Sequence, residues 1–468
     1  MHLRINAFGS SRSVLSFAIL LGLFSVQAFG QEAPLASALT LKQAIRIAID
    51  ANPAFRSAGD EADGARAKVS EVRAAWLPRV DFSQGFTRGN NPVYVFGTKL
   101  TQRRFTALDF SLFSLNTPVP LDNFQTRFDG EIRLFDSGQT GFRVQGAKRL
   151  LTAADFETEQ ARQDLILRVV QAYYGVIVAR EDLKAATEAL RAAQSNEQRM
   201  ETMQSAGMIV DSDLLSARVF SAQIKDREIR AQNSVELAQM QLARELALSA
   251  DARPEPSENL VKPPTLSKTA QEWTQIALEH RPALRAAQLQ QDAMTSQKKA
   301  AKAEFGPKAG LFAGYERDAM ALFGSSGTNW TAGARLDFNI YAGGAQRARV
   351  AEAQANENKA KHDVEWFRSG VMLEVRTAYL DATAASQRAA AAQGAVEQAR
   401  ESTRIIQNRY EAGLTTVTEL LRAQSAHLES QTSYLSALHD WQVARAQLER
   451  AAGMLTPDSE LLQEAGTP

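Results

Sequence analysis

The 468-residue chain contains no cysteine, so it forms no disulfide, no thiolate metal site and no lipid-modified N-terminal Cys. It has no excess charge either. Its 53 basic and 53 acidic residues cancel, which gives no reason to expect nucleic acid or an acidic substrate. Beyond the N-terminus it lacks any run of about 20 apolar residues, so no transmembrane helix is expected. If the mature chain crosses a membrane, only a β-barrel can carry it, because lipid satisfies no backbone polar group. Catalytic signatures are missing as well. There is no HExxH, no Gly-x-Ser-x-Gly elbow and no phosphate-binding loop, and His280, His362, His427 and His439 are scattered without metal-ligand spacing. The chain is expected to be no enzyme and to need neither cofactor nor metal.

What is present begins with an export signal over residues 1–30. Arg4 and Arg12 precede the apolar run Val14 to Phe24, and Val26-Gln27-Ala28 and Ala28-Phe29-Gly30 are both fitting cleavage sites. The mature chain therefore leaves the cytoplasm.

An internal duplication organises the remainder. Ile47-Ala48-Ile49-Asp50-Ala51-Asn52-Pro53-Ala54 recurs as Ile276-Ala277-Leu278-Glu279-His280-Arg281-Pro282-Ala283, an offset of 229 that Pro78 and Pro307 share. Further on the offset falls to 206. Leu134-Phe135-Asp136-Ser137-Gly138 matches Ile340-Tyr341-Ala342-Gly343-Gly344, and Ala206-Gly207-Met208 matches Ala412-Gly413-Leu414. The change places one length difference, of 23 residues, between Pro78 and Leu134. The expected organisation is a first repeat over 31–250, a Pro-rich linker over 251–267, a second repeat over 268–453 and a tail over 454–468.

Each repeat carries a heptad seam. Positions 371, 375, 378, 382, 385, 389, 392, 396, 399, 403, 406 and 410 alternate steps of four and three, and ten of the twelve counterparts from Leu165 to Gln204 are apolar. The spacing predicts a helix from about Gln139 to Ala206, about 100 Å long at 1.5 Å per residue. Alanine on the seam lets partner backbones approach closely. Gly207 and Gly413 fit left-handed C-terminal caps. A second helix follows each, with Leu421, Leu428 and Leu435 repeating at sevens.

Before each long helix lie two short alternating runs. Val80, Phe82 and Phe86 alternate with Arg79, Asp81, Ser83 and Thr87. Phe128, Gly130, Ile132 and Leu134 alternate with Arg127, Asp129, Glu131 and Arg133. Ala309, Leu311, Ala313 and Tyr315 alternate with residues expected to be small. The even positions from Trp330 to Ile340 alternate with Thr331, Gly333, Arg335, Asp337 and Asn339. One apolar and one charged face is the signature of a barrel with lipid outside and water inside. Four strands are too few to close, since outer-membrane barrels need at least about eight; three chains would supply twelve.

This combination resembles the TolC family of outer-membrane factors. It rests on the duplicated strand–strand–helix–turn–helix unit and on the run from Arg409-Tyr410-Glu411-Ala412-Gly413 through Thr418-Glu419-Leu420-Leu421 to Gln424, which looks like the family's tip motif. The segment Asn91 to Thr98, with Arg104-Phe105-Thr106, is similar to the family's external loop. The resemblance implies a mainly α fold with a small β part: a homotrimer with a long α-helical barrel, a twelve-stranded β-barrel and an equatorial zone near residues 41–52, 249–281 and the C-terminus. It implies a passive exit duct in the Gram-negative outer membrane, with a periplasmic helical extension, serving tripartite efflux or type I secretion. The implied partners are a periplasmic adaptor, an inner-membrane pump of RND or ABC type and outer-membrane lipid. It places Gly207 and Gly413 at the periplasmic tip and makes Asp213, Tyr410 and Glu419 the aperture residues, Asp213 bonding Tyr410. Arg422 and Thr415 depart from the family pattern. The competing expectation is a periplasmic coiled-coil adaptor or scaffold without a channel, in which Asp213 and Glu419 merely favour helix N-termini.

Overall fold

The computed structural model describes residues 39–261 and 266–459; the expected signal segment lies outside them. The chain runs through α1 (Leu41–Ala51), α2 (Pro53–Arg73), β1 (Arg79–Gly89), α3 (Pro92–Thr101), α4 (Leu112–Asn116), β2 (Leu121–Phe135), α5 (Gln139–Ser205) and α6 (Asp211–Glu245). The second half follows as α7 (Ala270–His280), α8 (Pro282–Ala303), β3 (Lys308–Ala319), β4 (Ser326–Asp337), α9 (Ala345–Glu411) and α10 (Val417–Ala451). Adding 206 to both bounds of α5 gives α9, and of α6 gives α10.

The same backbone signals recur at matched positions. Asn52 caps α2 by accepting from the Ala54 N–H, and Pro53 and Pro282 open their helices at the turn where a missing N–H costs nothing. Ser137 and Gly138 have φ of 57° and 84°, and their counterparts Gly343 and Gly344 have 60° and 86°. At the tip, Gly207 (φ 69°) and Gly413 (φ 71°) sit in Schellman geometry. The Met208 N–H donates to the Met203 carbonyl at 2.8 Å, and the Leu414 N–H to that of Arg409 at 2.8 Å.

The two long helices are buried differently. All six buried residues of α9 (Val371, Val375, Ala378, Ala382, Ala385 and Ala389) lie on the heptad seam. In α5 the seam residues Leu165, Val169 and Val176 are buried together with their neighbours Ile166, Val170 and Ile177. The reason is position: α5 packs chiefly against α2, α6, α8, α10 and α1, whereas α9 packs chiefly against α7, α8 and α10. Thus α5 is an inner helix of the layer and α9 an edge.

The sheet has strand order β1-β2-β3-β4, all antiparallel, and among the described residues β1 and β4 have no strand paired on their outer edges. Two expectations are corrected. The run from Trp330 to Ile340 was expected to be one strand, but β4 ends at Asp337, because its partner begins at Lys308, directly after Pro307. Phe338 and Ile340 lie beyond the paired register and are exposed. The external segment from Asn91 is expected as loop but forms α3: the Asn91 side chain accepts from the Val93 and Tyr94 N–H groups and Pro92 opens the helix.

Candidate functional site

Register sorts the sheet into two faces. Phe82 lies opposite Phe128, Phe128 opposite Tyr315 and Tyr315 opposite Trp330, so the aromatic residues form one row across all four strands. This face is uncovered: Phe82 is 61% exposed and Trp330 78%. The other face carries Arg79, Asp81, Arg127, Asp129, Glu131, Arg335 and Asp337. Three of its arginines are each held by an aspartate two residues on, Arg79 by Asp81 at 2.9 Å, Arg127 by Asp129 at 2.7 Å and Arg335 by Asp337 at 3.0 Å; Arg133, on the same face, has no such partner. The expectation of small residues between the apolar ones of β3 fails at Phe312, which points to the charged face.

At the end of the sheet remote from the long helices, the link between β1 and β2 folds back over the charged face. The Gln102 Nε2 donates to the Asn123 Oδ1 at 2.9 Å, and the Asn123 Nδ2 to the Asp318 Oδ1 at 2.7 Å; all three side chains are buried. Arg103, at φ 56°, donates to the Thr328 carbonyl at 2.8 Å, and the Thr101 carbonyl occupies the space a side chain at Gly327 would need. The segment is braced internally. Lys99 at 2.7 Å and the Thr106 backbone and hydroxyl hold the Asp109 carboxyl down at about 2. Sequence reasoning placed the segment but not its contacts with β3 and β4, which join residues more than 190 positions apart.

At the opposite pole, α5 and α6 meet at Gly207, and α9 and α10 at Gly413. Met200, Leu214, Ala217 and Val417 form the core there, with Ile209, Tyr410 and Leu421 packed on it. Of the three expected aperture residues, Asp213 and Tyr410 are brought together. Burial pushes the Tyr410 hydroxyl up, and the Asp213 charge adds to it. The expected bond between them is not formed: the Tyr410 hydroxyl is buried without a partner among the described residues. Glu419 stands apart, exposed in the first turn of α10, its carboxylate held by Arg422 at 3.0 Å. Asp213 likewise lies in the first turn of α6, where an acid meets the positive end of the helix dipole. An unforeseen ion pair, Arg199 to Glu411 at 2.7 Å, ties the last turns of α5 and α9.

The equatorial residues repeat one device. The Asn52 side chain donates to the Glu245 carbonyl at 2.9 Å, and its counterpart Arg281 donates to the Ala451 carbonyl at 2.8 Å. Arg281 is 4% exposed and pairs with Glu374 at 2.8 Å, which also meets Arg450 at 2.5 Å. Burial pulls the Arg281 guanidinium below its ordinary value, and Glu374 opposes that pull. Among the described residues no group of acids and histidines could hold a metal, and no helix is long and apolar enough to cross a membrane.

A short antiparallel sheet with one bare apolar face, continued by two helical hairpins about 100 Å long, is the protomer architecture of an outer-membrane channel. Solved structures share it. A membrane protein from Pseudomonas aeruginosa superposes with a TM-score of 0.75 at 21% identity, covering 88% of this chain and 92% of that one. The Campylobacter jejuni CmeC outer membrane channel gives 0.74 at 16% identity and 93% of each chain. A sequence profile of the outer membrane efflux protein family matches residues 44–247 and 273–454, and the chain belongs to that family. Among relatives, Protein CyaE of Bordetella pertussis is 27% identical over 428 residues, 90% of this chain and 84% of its own. Alkaline protease secretion protein AprF of Pseudomonas aeruginosa is 23% identical over 427 residues (90% and 85%), and Outer membrane protein TolC of Escherichia coli 24% over 458 (93% and 86%). The protein is an outer-membrane exit duct with a periplasmic helical part, and its relatives are channels rather than enzymes.

Proposed function

We propose that three copies of this chain assemble into one closed duct, coupled at its helical tip to a periplasmic adaptor and an inner-membrane pump of RND or ABC type. The observation that carries this is the four-stranded sheet whose two edges are open while one whole face is apolar and bare. Open edges are not tolerated in lipid, so β1 of one copy must pair with β4 of the next, and three copies close a barrel of about twelve strands. The helical layer supports the same closure. Trp366, Leu373 and Leu380 of α9 recur at sevens on its unpartnered side, and α6, near the other side of the layer, exposes Leu215, Val219, Ile229 and Leu237. Two different edges meeting head to tail make a ring.

In this assembly the charged face of the sheet lines the water-filled passage. The turns at Gly207 and Gly413 form the adaptor-facing tip, and Asp213 and Tyr410 contribute to its closed aperture. Arg422 offsets the Glu419 carboxylate, so the entrance ring is expected to be only weakly cation-selective. Energy comes from the pump. The relatives named for protease secretion bring polypeptides, beside small molecules, within the cargo. Purified mature protein in detergent is expected to migrate as a heat-modifiable trimer and to conduct ions in planar bilayers. A stable, water-soluble monomer without detergent would overturn the reading.

A further inference from the structure

The charged face of the sheet carries one aromatic side chain whose placement is distinctive. Phe312 stands between Gly310 and Gly314, its neighbours on the same face of β3, and lies opposite Gly333 on β4 and Glu131 on β2. Three of its four nearest positions on that face therefore carry no side chain. The ring rests over Gly333, where a Cβ would come within 2.8 Å of it, and remains 40% exposed. It forms the shared wall of two open clefts of about 250 and 500 Å³, and Arg79, Glu131 and Arg335 also line both. Those two arginines are already engaged by Asp81 and Asp337. Glu131 makes no hydrogen bond or ion pair among the described residues, although it faces Arg79 across β1 and β2 and shares the smaller cleft with Arg133 and Lys308. The local pattern is thus an accessible aromatic ring with a carboxylate outside any close ion pair directly across the strand pair.

Covering a glycine is one use of such a ring, and packing across Gly333 serves it. It does not require the exposed half of the ring or the unpaired acid facing it. A ring face beside a carboxylate attracts a solute that joins positive charge to a flat apolar surface, by stacking, cation–π attraction and charge pairing together. We propose that Phe312 and Glu131 form a cargo-contact subsite in the passage that holds small aromatic cations, repeated three times around the ring at one height. The inference rests on the trimeric duct described above.

The test compares two monovalent cations, benzyltriethylammonium and tetraethylammonium, as blockers of single channels in planar bilayers, added from the strand side. The native protein is expected to be half-blocked by the aromatic cation at a concentration about tenfold lower, the size of one favourable ring contact. Phe312→Leu keeps an apolar cover on Gly333 and is expected to bring the two cations within about twofold. Glu131→Gln is expected to weaken block by both cations alike. Trimer migration on gels verifies that each variant assembles, which a purely glycine-covering role would disturb without altering the ratio. Equal block by both cations in the native protein, or an unchanged ratio in Phe312→Leu, overturns the subsite and leaves the duct standing. Native protein that conducts nothing overturns both.

Discussion

Tyr410 carries a buried hydroxyl that donates to nothing among the described residues, beside an aspartate that raises its affinity for its proton. The phenol is therefore a protonated donor at neutral pH. Removing a hydroxyl that has no partner forfeits no hydrogen bond in the chain itself, so Tyr410→Phe should shift the unfolding midpoint by less than about 0.5 kcal/mol equivalent. If Asp213 receives that proton in the closed ring, the same variant raises single-channel conductance; unchanged conductance would remove Tyr410 from the gate. Arg281 poses the opposite case, a buried guanidinium with two jobs. Arg281→Ala is expected to cost about 2–3 kcal/mol, less than a fully buried pair would, because Glu374 is partly solvated and keeps Arg450. Arg281→Asn places there the residue that Asn52 supplies in the first repeat, which reaches the matching carbonyl. It should lose about half as much. Chemical denaturation followed by circular dichroism measures both variants, and equal losses would show that the carbonyl bond contributes nothing.

Among the elements, the duplicated helix ends show which backbone positions the two repeats solve differently. After α10 the chain turns through Gly453 at φ 75°, but after α6 the matching residue is Ala247 at φ 54°. A Cβ in the left-handed region costs about 1 kcal/mol. Ala247→Gly is therefore expected to stabilise the chain by about that amount, read as a higher denaturation midpoint. The equivalent change at Ser137 should gain less, since its hydroxyl donates to the Pro307 carbonyl at 2.8 Å, a bond glycine would forfeit. The heptad positions of α5 and α9 were legible in sequence because alanine and leucine at steps of three and four have no other efficient use over so long a stretch. Which helix is interior was written less plainly, in the paired apolar residues Leu165-Ile166, Val169-Val170 and Val176-Ile177, which face two sides at once.

At the scale of the molecule, the sheet is a wall waiting for its continuation, and the two faces of one strand should respond oppositely to the same charge. Ala332 and Thr331 are neighbours in the middle of β4 and point to opposite sides. Ala332→Arg puts a guanidinium into lipid at a cost of about 2–4 kcal/mol per copy near the bilayer midplane, and should deplete the trimer from outer-membrane fractions. Thr331→Arg faces water and should assemble normally. Equal yields of the two variants would contradict the assignment of faces.

Period and repetition settled the architecture from sequence alone. A period of two marked four strands too few to close, a period of seven marked helices too long to stand unpaired, and the recurrence of both showed one unit used twice. These are local properties, set by how side chains alternate along a strand or wind around a helix. Contacts between distant residues were decided only by the folded chain. The bridging of Gln102, Asn123 and Asp318, the pairing of Arg199 with Glu411, the clearing around Phe312 and the missing Tyr410–Asp213 bond all depend on register and helix order. Those bring together positions whose separation in sequence leaves no periodic trace.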